Sequence, residues 1–325
     1  VLHQAFDPSS SEAKRVRDEG VLLELLDHPN IVRLFDRASF GGREILVMEV
    51  VEGPPLARVV RRLGAIPANV ALSLARQVAV AVHYAYTLEL DGRQLRLVHR
   101  DLNLANLLIS VDGQVKILDY GLAKAEFEGR EANTHIALQG TAGYVAPEGL
   151  KGLDDNPALD VYALGICMIF LLSGHLPILS RQPLSHASGL SEQLGYIRSQ
   201  LEPDVDVAPI EALIRGMCAY QPAERPTMTE VVAAIDAIGP ETLPAQLREH
   251  FDADAYGGAP LTGVNGVAII AHGASTPAAL ISAIKVVRQF DRADQRDQTG
   301  APLCGQGLDP GAHRCDRAQR ENGRS

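Results

Sequence analysis

The chain has 325 residues, enough for one large domain or two ordinary ones, and 46% of them are apolar, enough for a sizeable core. A formal net charge of −10 excludes a general binder of nucleic acid or other polyanions. Four cysteines (Cys167, Cys218, Cys304, Cys315) form no CxxC pair, which excludes a disulfide scaffold and makes a reducing, cytoplasmic setting the expectation.

Residues 10–26 are charged, then apolar at helical spacing (Val16, Leu22, Leu23, Leu26), and the pattern stops at "HPN". Residues 31–50 read as two strands around a Gly41-Gly42 turn. From 55 to 90 the pattern is helical, with Val70, Leu74, Val78 and Val82 on one face. "LLISVDGQVKIL" (107–118) reads as a hairpin turning at Asp112-Gly113. Helical patterns return at 158–173, about 190–201, 208–219 and 227–238. The run "VYALGICMIFLL" (161–172) falls short of the roughly 20 residues that cross a bilayer, so it suits a buried helix and no membrane span or leader is expected. Beyond about 240, "YGGAPLTGVNGVAIIAHGASTPAALISAIKVV" (256–287) is Gly-rich, then strand-like, then helical. Residues 291–325 are polar and are expected to be disordered, since they cannot bury enough surface to fold alone.

Four short signals carry the chemistry, in a fixed order. "HRDLNLAN" spans 99–106, "DYG" spans 119–121, "GTAGYVAPE" spans 140–148 and "DVYALG" spans 160–165. Together, at these spacings, they resemble the protein kinase superfamily over residues 1 to about 240. Chance motifs in an unrelated helical domain would need four coincidences. The resemblance implies an α+β, bilobal fold with a mostly helical C-lobe, and ATP and Mg²⁺ as cofactors. Phosphoryl transfer asks the protein to position phosphates and neutralise charge, with little covalent chemistry of its own. Asp101 would orient the acceptor hydroxyl and receive its proton. Asn106 and Asp119 are hard oxygen ligands that would share Mg²⁺ with the phosphates. Glu19, nine residues before His28, stands where the family places the partner of its ATP-anchoring Lys. "MEVVEGPPL" (48–56) resembles the hinge between lobes, with Met48 as gatekeeper, the Glu49 carbonyl and Val51 backbone against adenine, and Leu108 beneath the ring.

By the same resemblance, His99 and Tyr120 join Leu23 and Leu34 in an internal hydrophobic spine. Tyr120 stands where the family usually has Phe, and its hydroxyl needs a partner or water. Asp160 and Arg225 hold structural positions, with Arg225 pairing with Glu148 as a buried ion pair. The segment between Asp119 and Glu148 would be an activation loop. Arg100 would sense a phosphate there, on Thr134, although a plain solvated Thr fits position 134 equally well.

Two departures qualify the resemblance. The family's anchoring Lys lies roughly nineteen residues before Glu19, and "VLHQAF" reads like the residues just after it. The Gly-rich phosphate loop is also not read, and Lys14 is in the wrong place. The chain is therefore expected to be an N-terminally truncated kinase with an incomplete N-lobe sheet, weak or inactive as it stands. The second departure is Asn103, where serine/threonine kinases usually have a Lys on the transferred phosphate. Asn103 can offer that phosphate a hydrogen bond but no charge, a loss of roughly 3–4 kcal/mol in the transition state. "GT" (Gly140-Thr141) favours serine/threonine specificity, though Thr141 then lacks its usual Lys partner.

A second resemblance covers the tail. "AYGGAPLTGVNGVAIIAHGASTPAALISAI" (255–284) is similar to the C-terminal end of the phosphate acyltransferase of bacterial phospholipid synthesis. That enzyme needs a whole doubly wound domain, so His272 and its glycines receive no catalytic role. A gene fusion and an assembly artefact give the same pattern, and an out-of-frame reading accounts for 291–325. The expected organisation is 1–51 as partial N-lobe, 52–240 as C-lobe, 241–290 as acyltransferase-like fragment and 291–325 as tail. The expected function is a bacterial-type serine/threonine protein kinase acting on a protein hydroxyl, with no nucleic-acid partner. The alternative is a pseudokinase-like nucleotide- or protein-binding module, which has no need to keep Asp101, Asn106 and Asp119 together.

Overall fold

The computed structural model describes residues 20–40, 43–110, 112–120, 141, 143–149, 156–201, 203, 205–239 and 267–271, with the backbone alone for 39–40, 43–45 and 267–271. Residues 20–25 are helical (α1) and end before "HPN", as the pattern predicts. Strands β1 (Leu34–Phe40) and β2 (Arg43–Glu49) pair antiparallel from Leu34↔Met48 to Phe40↔Arg43. The predicted helix over 55–90 is two helices, α2 (Leu56–Leu63) and α3 (Ala68–Thr87). Gly64, at φ 79°, and Pro67, the cap of α3, break it. Both residues disfavour a continuous helix.

After α3 comes a small hairpin, β3 (Glu89–Leu90) and β4 (Arg93–Gln94), that the periodicity does not predict. Its turn residues, Asp91 and Gly92, have φ of 51° and 74°, the left-handed pair that a two-residue hairpin favours. The next hairpin, β5 (Leu107–Ile109) and β6 (Val115–Ile117), falls where the sequence places it. It is anchored on both flanks. Ile117 N–H donates to Asn30 O at 2.8 Å and Val32 N–H to Ile117 O at 3.0 Å. On the other side Ile109 N–H donates to Pro54 O at 3.1 Å. Here the chain passes so close that a Cβ on Gly53 would lie 1.8 Å from Ile109 O, so only glycine fits.

The helical part is built round α4 (Ala158–Ser173), whose residues are buried on nearly every side. That is the environment an uninterrupted apolar helix demands. Val70, Leu74, Val78 and Val82 of α3 are all buried and belong to the same core. Helices α5 (Pro183–Gln200), α6 (Val207–Met217) and α7 (Met228–Ile238) complete the packing. Helix α5 begins earlier than the apolar pattern predicts, with a Pro in its first turn, where no backbone donor is lost. Helix α7 opens with a capping box. Thr227 Oγ1 accepts from Glu230 N–H at 3.3 Å, and Glu230 accepts from Thr227 N–H at 2.7 Å. Cys167 and Cys218 are free and buried, as expected of small apolar residues. Burial raises both thiols, Cys218 to about 12. Among the described residues no helix is long and apolar enough to cross a membrane.

The tail contributes one described element, β7 (Val267–Ala271), from its strand-like part. It pairs parallel with β2 from Ile45↔Val267 to Glu49↔Ala271, so the sheet order is β1-β2-β7. The rest of residues 255–284, including His272, and residues 291–325 lie outside the described residues.

Candidate active site

The loop 99–106 runs between the β3–β4 hairpin and β5, and α4 fixes its first residues. Asp160, in the first turn of α4, is 1% exposed. Its carboxylate accepts from His99 N–H at 2.8 Å and from Arg100 N–H at 2.9 Å. Burial pushes this carboxyl upward, opposed by His99 and by the two amides. Arg100 has φ 69° and Asp119 φ 61°, left-handed values that a non-glycine residue adopts at a cost of roughly 1–3 kcal/mol. Such strain persists only where surrounding bonds impose it, and at Arg100 the Asp160 carboxylate supplies one.

The His99 ring bridges this loop to the strand after it. Its Nδ1 accepts from Asp101 N–H at 3.3 Å, so Nε2 carries the hydrogen and donates to Leu118 O at 3.0 Å. The ring lies 4.6 Å from that of Tyr120. Tyr120 and Leu23 are each 1% exposed within one core, and Leu34 packs against it half-buried. Among the described residues Tyr120 Oη has no hydrogen-bond partner. Burial raises this hydroxyl far above its ordinary range. Tyr120→Phe removes a desolvated, unpaired group, so it is expected to stabilise the domain by about 1–3 kcal/mol. A higher urea midpoint at unchanged slope is the check, and a lower one would show that the hydroxyl is satisfied.

Two predicted side chains, Asp101 and Asn106, meet at the centre. Asn106 Nδ2 donates to Asp101 O at 2.9 Å and to Asp101 Oδ2 at 3.1 Å. That fixes the amide's orientation and leaves Oδ1 as the end able to bind a cation. Leu118 N–H donates to Asn106 O at 2.9 Å, which brings Asp119 beside the same edge. Among the described residues no three His, Cys, Asp or Glu side chains cluster to hold a metal. An Asn oxygen and one carboxylate suit a hard cation whose remaining ligands come from a phosphate.

Thr141 closes the other side of Asp101. Its N–H and Oγ1 both donate to Asp101 Oδ1, at 2.7 and 2.8 Å. In place of the Lys partner that the sequence lacks, Asn103 Nδ2 donates to Thr141 Oγ1 at 3.1 Å. Tyr144 goes unmarked in the sequence reading. It is 7% exposed, and burial raises its hydroxyl, opposed by a hydrogen bond to the Leu104 backbone. Its N–H donates to Thr141 O at 3.1 Å, so it ties this segment to the loop. The aromatic inside "GTAGYVAPE" was the available signal.

Farther along, Arg225 meets Glu148 through both guanidinium ends, one at 2.8 Å. At the hinge, Met48 and Leu108 are buried and Val51 is half-buried against the core. The Glu49 carboxylate pairs with Lys116 Nζ at 2.6 Å and accepts from Arg33 N–H at 3.1 Å. Glu19, Thr134, Lys14 and the first residues of the chain lie outside the described residues.

Known proteins match this arrangement. The protein kinase domain family matches residues 3–234. The serine/threonine-protein kinase PknA of Mycobacterium tuberculosis is 32% identical over 232 residues, 69% of this chain and 51% of that protein. The serine/threonine-protein kinase PknL of the same organism is 31% identical over 240 residues, 74% and 53% of the two chains. The tyrosine-protein kinase MasK of Myxococcus xanthus is 29% identical over 260 residues, 74% and 39%. The chain thus spans about half or less of the length of these curated relatives. A match over most of the chain, on a fold that joins Asp101 and Asn106 side chains in one loop, places this protein in the protein kinase family.

Proposed function

We propose that the chain is the catalytic domain of a serine/threonine protein kinase that moves a phosphoryl group from Mg-ATP to a protein hydroxyl in the cytoplasm. The observation that carries this reading is the bonding of Asn106 Nδ2 to Asp101 O at 2.9 Å and to Asp101 Oδ2 at 3.1 Å, with Asp119 following Leu118, whose N–H donates to Asn106 O at 2.9 Å. Mg-ATP supplies the phosphoryl group, and its metal spreads the charge that develops. The chain's own part is positioning. Asp101 orients the acceptor hydroxyl and takes its proton, on a carboxylate already aimed by Thr141 and Asn106. Asn106 and Asp119 would hold the metal. Met48, Glu49, Val51 and Leu108 form the adenine side, and Glu19 the anchor for an ATP-binding Lys.

Serine/threonine rather than tyrosine acceptance is supported by PknA and PknL, and by the Thr141–Asp101 contact beside the acceptor position. Arg100 and Thr134 are a phosphate-sensing pair within this reading. The organisation into partial N-lobe, C-lobe, acyltransferase-like fragment and tail belongs to it as well. The fragment has no catalytic role.

The test is a thermal shift with Mg-ATP on the whole chain. At a hundredfold excess over Kd, binding stabilises by about 2.7 kcal/mol. That corresponds to roughly 5–10 °C in a domain of this size. Asp119→Asn is expected to remove the Mg²⁺-dependent part. A shift indifferent to Mg²⁺ favours the pseudokinase-like binding module, and the absence of any shift removes the reading.

A further inference from the structure

Asn103 stands where the kinase resemblance implies a Lys, and its hydrogen-bonding surroundings are complete. It is 2% exposed. Its Nδ2 donates to Asp101 O at 2.9 Å and to Thr141 Oγ1 at 3.1 Å. Its Oδ1 accepts from Ala105 N–H at 2.9 Å and from Asn106 N–H at 3.2 Å. A side-chain amide has two donor hydrogens and two acceptor lone pairs. All four are used. The orientation is fixed by the partners, since a flipped amide would set oxygen against two oxygens and nitrogen against two N–H groups.

We propose that Asn103 is the positioning residue of this catalytic loop, clamping Thr141 onto Asp101 with its nitrogen and capping the 105 and 106 amides with its oxygen, and that it is not a phosphate ligand. This rests on the kinase reading of the site. The nitrogen end feeds a chain of bonds, Asn103 to Thr141 Oγ1 to Asp101 Oδ1, in which the hydroxyl accepts once and donates once. Bonds in such a chain polarise one another. The oxygen end holds the backbone of Asn106, whose side chain reaches back to Asp101 Oδ2. One buried amide thereby aims both oxygens of the catalytic carboxylate. A Lys at this position could donate to Thr141 but has no acceptor for the two amides. A Lys here would therefore release the 105 and 106 amides that Asn103 holds.

Hydrogen exchange on Asn103→Asp, Asn103→Ala and Asn103→Lys tests this, read in peptides spanning 101–107 and 141–145. Asn103→Asp keeps the oxygen and loses the donor. It should leave amides 105 and 106 protected and speed exchange at Thr141 about tenfold. Asn103→Ala should speed exchange at both places, and Asn103→Lys, which can donate but not accept, at amides 105 and 106. Asn103→Lys should also fail to tighten Mg-ATP binding in the thermal-shift assay. Melting temperatures of all three variants separate local release from general unfolding. The proposal is overturned if Asn103→Lys tightens Mg-ATP while amides 105 and 106 stay protected, because that is how a phosphate ligand behaves. It is also overturned if Asp and Ala give the same exchange pattern. Failure of the unsubstituted chain to bind Mg-ATP would sink the kinase reading and leave the exchange result standing.

Discussion

Arg225→Ala is expected to cost the domain about 3–5 kcal/mol, because it strands a buried partner. The Arg225 side chain is fully buried and that of Glu148 is 17% exposed. Every guanidinium donor is used. Nε donates to Ala219 O at 2.8 Å, Nη1 to Glu148 Oε1 and to Ala158 O at 2.9 Å, and Nη2 to Glu148 Oε2 at 2.8 Å and to Tyr220 O at 3.2 Å. The guanidinium carbon also lies 4.8 Å from the Tyr162 ring centroid, at cation–π range. One side chain thus joins the segment carrying Glu148, the start of α4 and the turn after α6. Alanine leaves a carboxylate and three carbonyls without their donor. The melting temperature should fall by roughly 6–20 °C. Arg225→Lys keeps the charge but has three donors without the planar fork, so an intermediate loss is expected. Replacing both members of the pair by apolar residues should cost less than the single change, since no charge is then stranded. A loss below about 1 kcal/mol for Arg225→Ala would show that the pair adds nothing.

Much of this molecule is legible in its sequence, and what is not has a physical pattern. The 99–106 loop, the β5–β6 hairpin and the buried α4 are written in contiguous residues, so spacing finds them. Val70, Leu74, Val78 and Val82 declare their face by period alone, and all four are buried. The split between α2 and α3 was within reach, because Gly64 and Pro67 are breakers, but apolar periodicity on both sides conceals it. The Asp91-Gly92 turn was likewise visible as a hairpin dipeptide. The remaining features depend on partners far along the chain. Asn103 meets Thr141 across 38 positions, and His99 N–H meets Asp160 across 61. The strand-like text near 267–271 predicts a strand but not its parallel register with β2, since pairing is chosen by the fold and not by the strand itself. An odd residue such as Asn103 therefore reads from sequence as a missing charge. In three dimensions it is a saturated hydrogen-bonding centre.

The same long-range logic makes Asp160→Ala the second large effect. Its carboxylate is the acceptor for the backbone N–H groups of both His99 and Arg100. Alanine leaves two amides unpaired, at about 1–3 kcal/mol each. It also removes an acid from the first turn of α4, where the helix dipole favours one. Arg100, at φ 69°, loses a bond that holds it in the left-handed region and can relax toward ordinary backbone. Asp101 follows it in sequence, so the relaxation swings the Asp101 carboxylate away from Thr141 and Asn106. Two readouts are expected to move together. Global stability should fall by about 2–6 kcal/mol in urea unfolding, on the same reckoning of two orphaned amides. Hydrogen exchange should rise first in a peptide spanning 98–101, ahead of α7. Asp160→Asn should fall between the unsubstituted chain and Ala, since its oxygen serves one amide while its nitrogen faces the other. A uniform loss of protection, with 98–101 no faster than α7, would mean that the carboxylate fills space without fixing the loop. The local pattern would mean that α4, the most buried helix, sets the aim of Asp101 through a single acid.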